Sequence, residues 1–256
     1  MLEGFYTAAS GMMQQQRVLN ATGNNITNMK TAGYKAERVT STTFQQTYLT
    51  CLEDGRYAYV GTGDPTRLVK DVADIFDQSS LRETERPFDM AISGEGFFNI
   101  LSGDIVYLTR NGAFDIDEEG YLVLPGSGRV QGAKGDIYLG GSDFTVTENG
   151  VILDKNNRAV DRLLITMPGM TTDEDGNQIA DITKYSNGMY QLGNPAAAVE
   201  VTLPTVYQNA LENSNIDINR EYTLMIEAQR TFQSCSKALQ MIDDINGKAA
   251  SQIAAI

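Results

Sequence analysis

Both ends of the chain carry apolar positions with helical spacing. The first stripe alternates spacings of three and four in heptad register, through Leu2, Phe5, Ala9, Met12, Gln16, Leu19, Gly23 and Ile26. It predicts a helix over about residues 2 to 27, about 40 Å long at 1.5 Å per residue. The second stripe, with Phe232 and Leu239 beside it, runs through Leu224, Ala228, Thr231, Cys235, Ala238, Ile242, Ile245 and Ala249.

Both stripes are thin and rich in small residues, so an isolated pair of such helices would be marginal in water. They therefore predict a coiled-coil pair that needs more neighbours than its own partner. The first helix leads into the central region and the second leads out of it, so two helices packed beside one body must run antiparallel. The fold class is predicted as α+β, with antiparallel N- and C-terminal coiled-coil helices flanking a mainly-β central body.

Short β-rich runs follow one another in the central region, separated by turns such as RNG, DEEG and ENG. Regular short strands between Gly and Asn turns predict a compact all-β domain. The predicted runs are 96–100, 104–109, 112–116, 121–124, 129–132, 136–139, 144–147, 151–153 and 162–166.

The flanking regions are less regular. Residues 34–93 are polar and rich in Tyr and Thr, and alternation at 44–49 and 57–60 predicts extended, hairpin-like structure. Residues 168–180 read as an exposed loop. The predicted domains are 1–33 with 217–256 (terminal helices), 34–93 with 181–216 (extended connecting part) and 94–180 (all-β outer part).

The stretch TGNNITNMKTAGYKAE at 22–37 looks like a junction. Asn24, Asn25 and Asn28 offer side-chain partners to the last helical carbonyls, and Gly33 can adopt a positive φ that turns the chain. A plain helix stop with no contact role stays open, because Asn is common after helices. At the start of the second helix, the cap and first-turn candidates are Asn215, Asp217, Asn219 and Glu221.

The chain is acidic, with 33 Asp and Glu against 20 Lys and Arg and a net charge of −13. Residues 1–30 carry +1 and residues 220–256 carry 0, which leaves −14 for the middle. The missing basic stripe argues against a nucleic-acid partner and disfavours an anionic lipid surface. The sequence contains no window of about 18 apolar residues, so no membrane span is predicted. The N-terminus lacks the pattern of a cleavable signal peptide.

The residues of the chain give little support for a catalytic function. The chain has no histidine, which excludes Ser–His–Asp and Cys–His catalysis and most transition-metal sites. DIDEEG at 115–120 and DEDG at 173–176 resemble the start of a calcium loop, but the bidentate Glu at position 12 is missing. Cys51 and Cys235 lie far apart and are predicted to be idle thiols. We predict no enzyme, no cofactor and no metal, although a carboxylate pair assembled by the fold stays open.

Three segments carry a resemblance to a known family. FYTAASGMMQQQRVLNATGNNITNMKTAGYKAE, AISGEGFFNI with LTRNGAFDIDEEGYLVLPGSGRVQG, and ALENSNIDINREYTLMIEAQRTFQSCSKALQMIDD resemble the opening, β-domain and closing signatures of the bacterial flagellar basal-body rod and hook family. GFYTAASGM is most similar to rod proteins of Gram-positive type. The length resembles that of a rod subunit, distal or proximal.

The resemblance implies a structural subunit that leaves the cell unfolded through the flagellar type III system and polymerises into a helical tubular drive shaft. It implies copies of the chain, other rod and hook subunits and the export apparatus as partners, and a place in the basal body outside the cytoplasmic membrane. The implied assembly residues are Leu2, Phe5, Ala9, Met12, Leu19, Ile26, Leu224, Ala228, Phe232, Cys235, Leu239, Ile242 and Ile245, with Asn24, Asn25, Asn28 and Gly33 at the junction.

Two other functions remain open at the level of sequence. One is a soluble coiled-coil binding module that displays an acidic β domain, which would form a small closed oligomer. The other is an enzyme acting on cell-wall glycan, which would need a buried carboxylate cleft in the β body.

Overall fold

A computed structural model describes residues 2–43, 47–53, 56–63, 67–172, 178–185 and 188–253. Helix α1 spans Leu2–Thr27 and helix α2 spans Ile218–Ile253, so the helix predicted over about 2–27 is confirmed. A short 3₁₀ helix covers Pro195–Ala197. The chain divides into two compact units: the helix unit (1–27, 36–75 and 216–256) and the β unit (28–35 and 76–215).

The helix unit contains α1, α2 and four strands, β1 Glu37–Thr43, β2 Thr47–Glu53, β3 Arg56–Gly63 and β4 Arg67–Asp74. β1 pairs antiparallel with β4, and β2 pairs antiparallel with β3. The extended, hairpin-like structure predicted for this part is thus confirmed. α1 and α2 run antiparallel, since Gly4 lies near Ile242, Gly11 near Cys235 and Asn25 near Glu221.

The β unit is built from short strands. They are β5 Leu81–Glu83, β6 Met90–Ser93, β7 Phe97–Ser102, β8 Ile105–Thr109, β9 Asp115–Ile116, β10 Leu122–Leu124, β11 Gly128–Gly132, β12 Gly135–Asp136, β13 Phe144–Val146, β14 Val151–Asp154, β15 Ala159–Arg162, β16 Ile165–Met167, β17 Met170–Thr172, β18 Gln178–Ala180, β19 Ile182–Lys184, β20 Met189–Leu192, β21 Val199–Glu200, β22 Thr205–Gln208 and β23 Ala210–Glu212.

The main sheet of the β unit runs in the order β19-β20-β8-β7-β11-β10-β9, and β12, β16 and β21 join it off this path. Its strands pair antiparallel, as hairpins joined by tight turns do. Smaller sheets pair β13-β14-β15, β22-β6 and β23-β5. Alternate residues of these strands meet in one apolar core that includes Phe98, Ile100, Phe114, Leu122 and Ile152.

Most predicted strand runs form strands, but the run predicted at 112–116 is strand only at 115–116, and the run predicted at 162–166 divides between β15 and β16. The loop predicted at 168–180 forms a hairpin of β17 and β18, whose β17 residues are all exposed; the turn at 173–177 lies outside the described residues. The run predicted at 136–139 is strand only at its start, and Tyr138 then makes a single bridge to Tyr121. Isolated pairings of this kind depend on the partner strand rather than on local pattern.

Candidate assembly interface

Small residues bring the two long helices together. A Cβ built on Gly4 would lie 3.8 Å from Ile242 Cδ1, and one on Gly11 would lie 3.3 Å from Cys235 Sγ. Nearer the start of α2, Ala228 is buried. Glycine and alanine at the contact let two helix backbones approach closely, so this pair is tight but buries little large apolar surface.

The stripe predicted on α1 lies beside this contact line. The residues seen nearest α2 are Gly4, Gly11 and Asn25, each one position before a member of the predicted stripe. Of that stripe, Phe5 is 43% exposed. Gln16 is exposed as well, and the remaining members with described side chains are half-buried: Ala9, Met12, Leu19, Gly23 and Ile26. The side chain of Leu2 lies outside the described part.

The stripe predicted on α2 faces the interior more fully. Ala228 is buried, and most other members are half-buried: Leu224, Phe232, Cys235, Leu239 and Ile242. The exceptions are Thr231, which is exposed, and Ile245, with 56% of its surface exposed. Cys235 is a free thiol, whereas the side chain of Cys51 lies outside the described residues.

Large apolar side chains remain on the surface of both helices. On α1, Tyr6 and Met13 are 59% and 66% exposed and lie seven residues apart, on one face. On α2 the exposed apolar residues are Tyr222, Ile226, Met241 and Ile245. By helical angle, Tyr6 and Met13 lie roughly opposite the line along which α1 touches α2, and Ile226 lies roughly opposite that line on α2, whereas Ile245 lies only about 60° from it. The helix pair therefore leaves several large apolar side chains exposed.

A buried polar node joins the ends of three elements of the helix unit. Asn25, near the end of α1, donates from Nδ2 to the Glu37 carbonyl of β1 at 2.9 Å and to Glu221 Oε2 of α2 at 3.1 Å. The backbone N–H of Glu37 donates back to Asn25 Oδ1 at 2.9 Å. The sequence predicts that Asn25 caps its own helix. In the structure its side chain instead ties α1 to β1 and α2.

The other junction residues lie close by in sequence. Asn24 is exposed and Asn28 is half-buried. Thr31 donates to Asn28 twice, from its backbone N–H to the carbonyl at 3.0 Å and from Oγ1 to Oδ1 at 3.3 Å. At the start of α2, Asp217 Oδ1 accepts from the N–H groups of Asn219 and Arg220, so Asp217 is the N-cap among the predicted candidates.

Gly33 has φ +65°, as predicted. A Cβ at this position would lie 2.3 Å from both the carbonyl carbon and the carbonyl oxygen of Arg110. The N–H of Gly33 also donates to the carbonyl of Glu212 at 2.8 Å. Both the conformation and the close approach require glycine here.

Two residues after Gly33, Lys35 enters a buried ionic cluster. Its Nζ lies 2.7 Å from Glu212 Oε1 and donates to the Asp77 carbonyl at 2.8 Å. Arg110 approaches the second oxygen of Glu212 at 3.5 Å and donates to the Gly94 carbonyl at 2.7 Å. Burial lowers the pKa of both Lys35 and Arg110, and Glu212 opposes this shift. The cluster pins residues 33–35 to the body of the β unit.

Sequence reasoning missed this cluster. Lys35 and Glu212 are separated by 177 positions, and each looks like an ordinary charge in its local window. The available signal was that Lys35 and Arg110 are each the single cation of the quoted GYK and LTRNG motifs.

The calcium-like turn at 115–120 is an acidic β-turn closed by an arginine. Asp117 Oδ1 accepts from the backbone N–H groups of Tyr121 at 2.8 Å and Glu119 at 3.0 Å. Arg129 pairs with Asp117 at 3.2 Å and with Glu119, and its guanidinium lies 4.1 Å from the Tyr121 ring centre. The Tyr121 N–H, and then Arg129, hold the pKa of Asp117 below its usual value.

Within the described ranges, no three Asp, Glu, Cys or His side chains are grouped as metal ligands would be. None of the helices seen there is long and apolar enough to span a membrane. A cavity of about 240 Å³ does open between α1, β1 and α2. Its apolar lining includes Val18, Ala21, Val39 and Leu224.

Three family models match the chain. "Flagella basal body rod protein" matches residues 5–35, "Flagellar hook protein FlgE/F/G D1 domain" matches 91–221, and "Flagellar basal body rod FlgEFG protein C-terminal" matches 207–253. The first and last of these segments hold α1 with the Gly33 turn and α2 with its cap. The middle segment holds most of the β unit.

Whole proteins are similar over their full length. The chain is 28% identical to the flagellar hook-basal body complex protein FlhO of Bacillus subtilis, with 100% of both chains covered. It is 30% identical to the flagellar basal-body rod protein FlgG of the same organism, over 96% of this chain and 97% of FlgG. It is 28% identical to the flagellar basal-body rod protein FlgF of Caulobacter vibrioides, over 98% of each.

Proposed function

Because this chain belongs to the flagellar basal-body rod and hook protein family, we propose that it is exported unfolded by the flagellar type III system and polymerised through its terminal helices into the rod. It is a structural subunit of the flagellar basal body, in a family whose subunits assemble together. Its partners are copies of itself, other rod or hook subunits and the export apparatus. After export it lies in the cell envelope, outside the cytoplasmic membrane.

One observation carries the assembly part of this proposal. The helix pair meets at Gly4 and Gly11, while Tyr6 and Met13 stay exposed on α1. A pair that buries mainly small residues gains little stability from its own contact, so most of its apolar surface is left for neighbours. Contacts between different surfaces of identical chains generate a ring where the rotation between copies closes and an open helical assembly where it does not, and the proposed rod is of the second kind.

The predicted assembly residues divide into two groups under this proposal. Ala228, Cys235 and Ile242 hold α2 to α1 within one subunit, whereas Phe5 and Ile245 are exposed and contact neighbouring subunits. The junction residue Asn25 orients the end of α1, and Gly33 turns the chain. The three-part division at 33/34 and 93/94, with its returning segments 181–216 and 217–256, stays a prediction about how the parts lie in the rod.

Coupling of folding to assembly explains why a subunit would keep such a weak helix pair. A chain exported unfolded completes the packing of its ends when neighbours add to their apolar core, and it loses further conformational entropy at that moment. We therefore expect α1 and α2 to be far less protected from amide hydrogen exchange in the isolated full-length chain than in the assembled rod.

Electron microscopy of basal bodies from a strain lacking this gene, scored beside swimming, tests the proposal. We expect truncated basal bodies without hook or filament, and the truncation point places the subunit in the proximal or distal rod. Complete flagella with normal swimming in that strain would contradict it. A small closed oligomer of the purified chain with folded ends would instead favour the soluble binding module.

A further inference from the structure

A polar cavity opens in the β unit beside the buried ionic cluster. Its volume is about 360 Å³, and its walls come from the segment that follows α1, from β5 and from the end of β23 with the two residues after it. The polar residues of its lining are Lys30, Arg82, Glu212, Asn213 and Ser214. We call these five residues the basic pocket. Its volume lies in the range of pockets that hold small ligands.

Two cations at the basic pocket are without a counter-charge in the described ranges. Lys30 and Arg82 are exposed, and neither has a carboxylate within ion-pair distance there. Glu83 follows Arg82 on β5, but successive side chains of a strand point to opposite faces, and Glu83 does not line the pocket. The pocket thus presents two free positive charges in a chain of net charge −13.

The carboxylate on the wall of the basic pocket is already neutralised. Glu212 is buried, and its two oxygens are paired with Lys35 and Arg110. Asp77 and Glu95 also attract these two cations, but both are exposed to water and neither lines the pocket. Glu212 therefore has no capacity left to neutralise the two cations at the mouth of the pocket.

In the described part of the chain, one hydroxyl at the basic pocket has no partner. Ser214 lines the pocket, and its Oγ is buried without a hydrogen bond to any described residue. Buried hydroxyls are nearly always hydrogen-bonded, and one left unpaired is destabilising. An oxyanion in the pocket supplies an acceptor for this hydroxyl and a counter-charge for the two cations. Two independent features therefore favour the same class of ligand.

We propose that the basic pocket binds a carboxylate group. The guanidinium of Arg82 can donate two parallel N–H···O bonds to such a group, Lys30 adds a positive charge, and the hydroxyl of Ser214 donates a further bond. The carboxylate comes either from a side chain of an adjacent subunit, since each copy of this chain carries 33 Asp and Glu, or from a small free carboxylate. The site itself does not depend on the proposed rod function, and only the choice between these two sources does.

Acetate is the probe that tests the site. As acetate replaces chloride at constant ionic strength, ¹H–¹⁵N NMR spectra of the purified full-length chain follow the backbone amides of Asn213 and Ser214 and the Nε–H of Arg82. We expect saturable shifts of these signals, with a dissociation constant of about 10 mM or below.

Removal of the two cations should abolish most of this binding. K30Q/R82Q should weaken acetate binding at least about tenfold, as read from the two remaining backbone amides. The matched control is K155Q/R158Q, which removes the same two positive charges from exposed positions elsewhere in the β unit. The control should bind acetate as the unmodified chain does.

Ser214→Ala separates binding from folding. Because Oγ of Ser214 has no partner among the described residues, this substitution should leave the urea midpoint of the free chain unchanged or raised. It should nevertheless weaken acetate binding about threefold to tenfold, because the bound carboxylate loses one hydrogen bond. A purely structural role for the hydroxyl predicts the opposite result, a lower midpoint with unchanged acetate binding.

Swimming of a strain that lacks the gene and expresses each variant distinguishes the two sources of the carboxylate. If an adjacent subunit supplies it, K30Q/R82Q should reduce swimming-halo expansion about tenfold, whereas K155Q/R158Q should swim as the unmodified protein does. If a free carboxylate is the ligand, both variants should swim normally while only the control retains acetate binding.

Two results would overturn the carboxylate site. One is the absence of saturable acetate shifts at the basic pocket. The other is equal acetate affinity in K30Q/R82Q and the unmodified chain when both have the same urea midpoint. Both leave the rod function itself intact, because that function is decided by the basal bodies of the strain that lacks the gene.

Discussion

Replacing Gly33 with alanine should destabilise the β unit because two separate costs meet at this residue. Its φ of +65° costs a residue with a Cβ about 1–2 kcal/mol. The new Cβ would also lie 2.3 Å from the carbonyl carbon and oxygen of Arg110. This neighbour is backbone, so no side-chain rotation relieves the overlap, and forced shifts of that kind cost about 1–3 kcal/mol. We expect a total of about 2–5 kcal/mol.

Gly103 separates the two costs. Its φ is +64°, and nothing lies within 4 Å of a Cβ built there. Gly103→Ala should therefore lose only the conformational part, about 1–2 kcal/mol. Urea unfolding of both purified full-length variants, followed by far-UV circular dichroism, measures the difference. The reasoning is refuted if Gly33→Ala shifts the unfolding free energy no more than Gly103→Ala does.

Three further substitutions test the polar contacts. In a urea titration, Glu212→Gln should cost about 3–5 kcal/mol of unfolding free energy, because Lys35 and Arg110 lose their buried counter-charge. The control Glu200→Gln, at an exposed ion pair, should cost at most about 1 kcal/mol in the same titration. Asn25→Ala should lower the free energy of thermal unfolding by about 1–3 kcal/mol, because it removes the side-chain amide that bonds to Glu37 and Glu221. Asn24→Ala, at an exposed position, should leave that free energy nearly unchanged. Equal reductions for the two variants would contradict this reasoning. The lowered pKa of Asp117 makes a contribution that is complete above its unfolded value of 3.8 and is lost as the pH falls through the folded value. Asp117→Asn should flatten the acid limb of stability against pH, and an unchanged limb would refute that role.

The helix boundaries and the central β region could be read from the sequence, because both depend on local pattern. A period of three and four placed α1 at its observed ends, and Gly and Asn turns separated most of the strands. The positive φ of Gly33 was likewise local, since a turn after a helix commonly needs glycine. The resemblance of the two ends and the middle to rod proteins was sufficient to indicate the family.

The face of α1 that packs against α2 could not be predicted from the local sequence pattern. The apolar pattern selected Phe5 and Met12, the larger side chains, while the antiparallel pair meets through Gly4 and Gly11. A hydrophobic pattern reflects the free energy that a side chain gains on burial. A close contact between two helices instead requires residues with little or no side chain at the contact. Both choices satisfy the same heptad spacing one position apart, and only tertiary packing distinguishes them.

The sequence by itself determined the helices, most of the strand segments, the excess of acidic residues and the family signatures, since each is a property of neighbouring residues. Only the tertiary structure decided which distant charges share a site. Lys35, Arg110 and Glu212 come from three separate parts of the chain, and their pairing exists only because folding excludes water from all three at once. The cavity of about 240 Å³ has the same origin, since its wall is assembled from α1, β1 and α2.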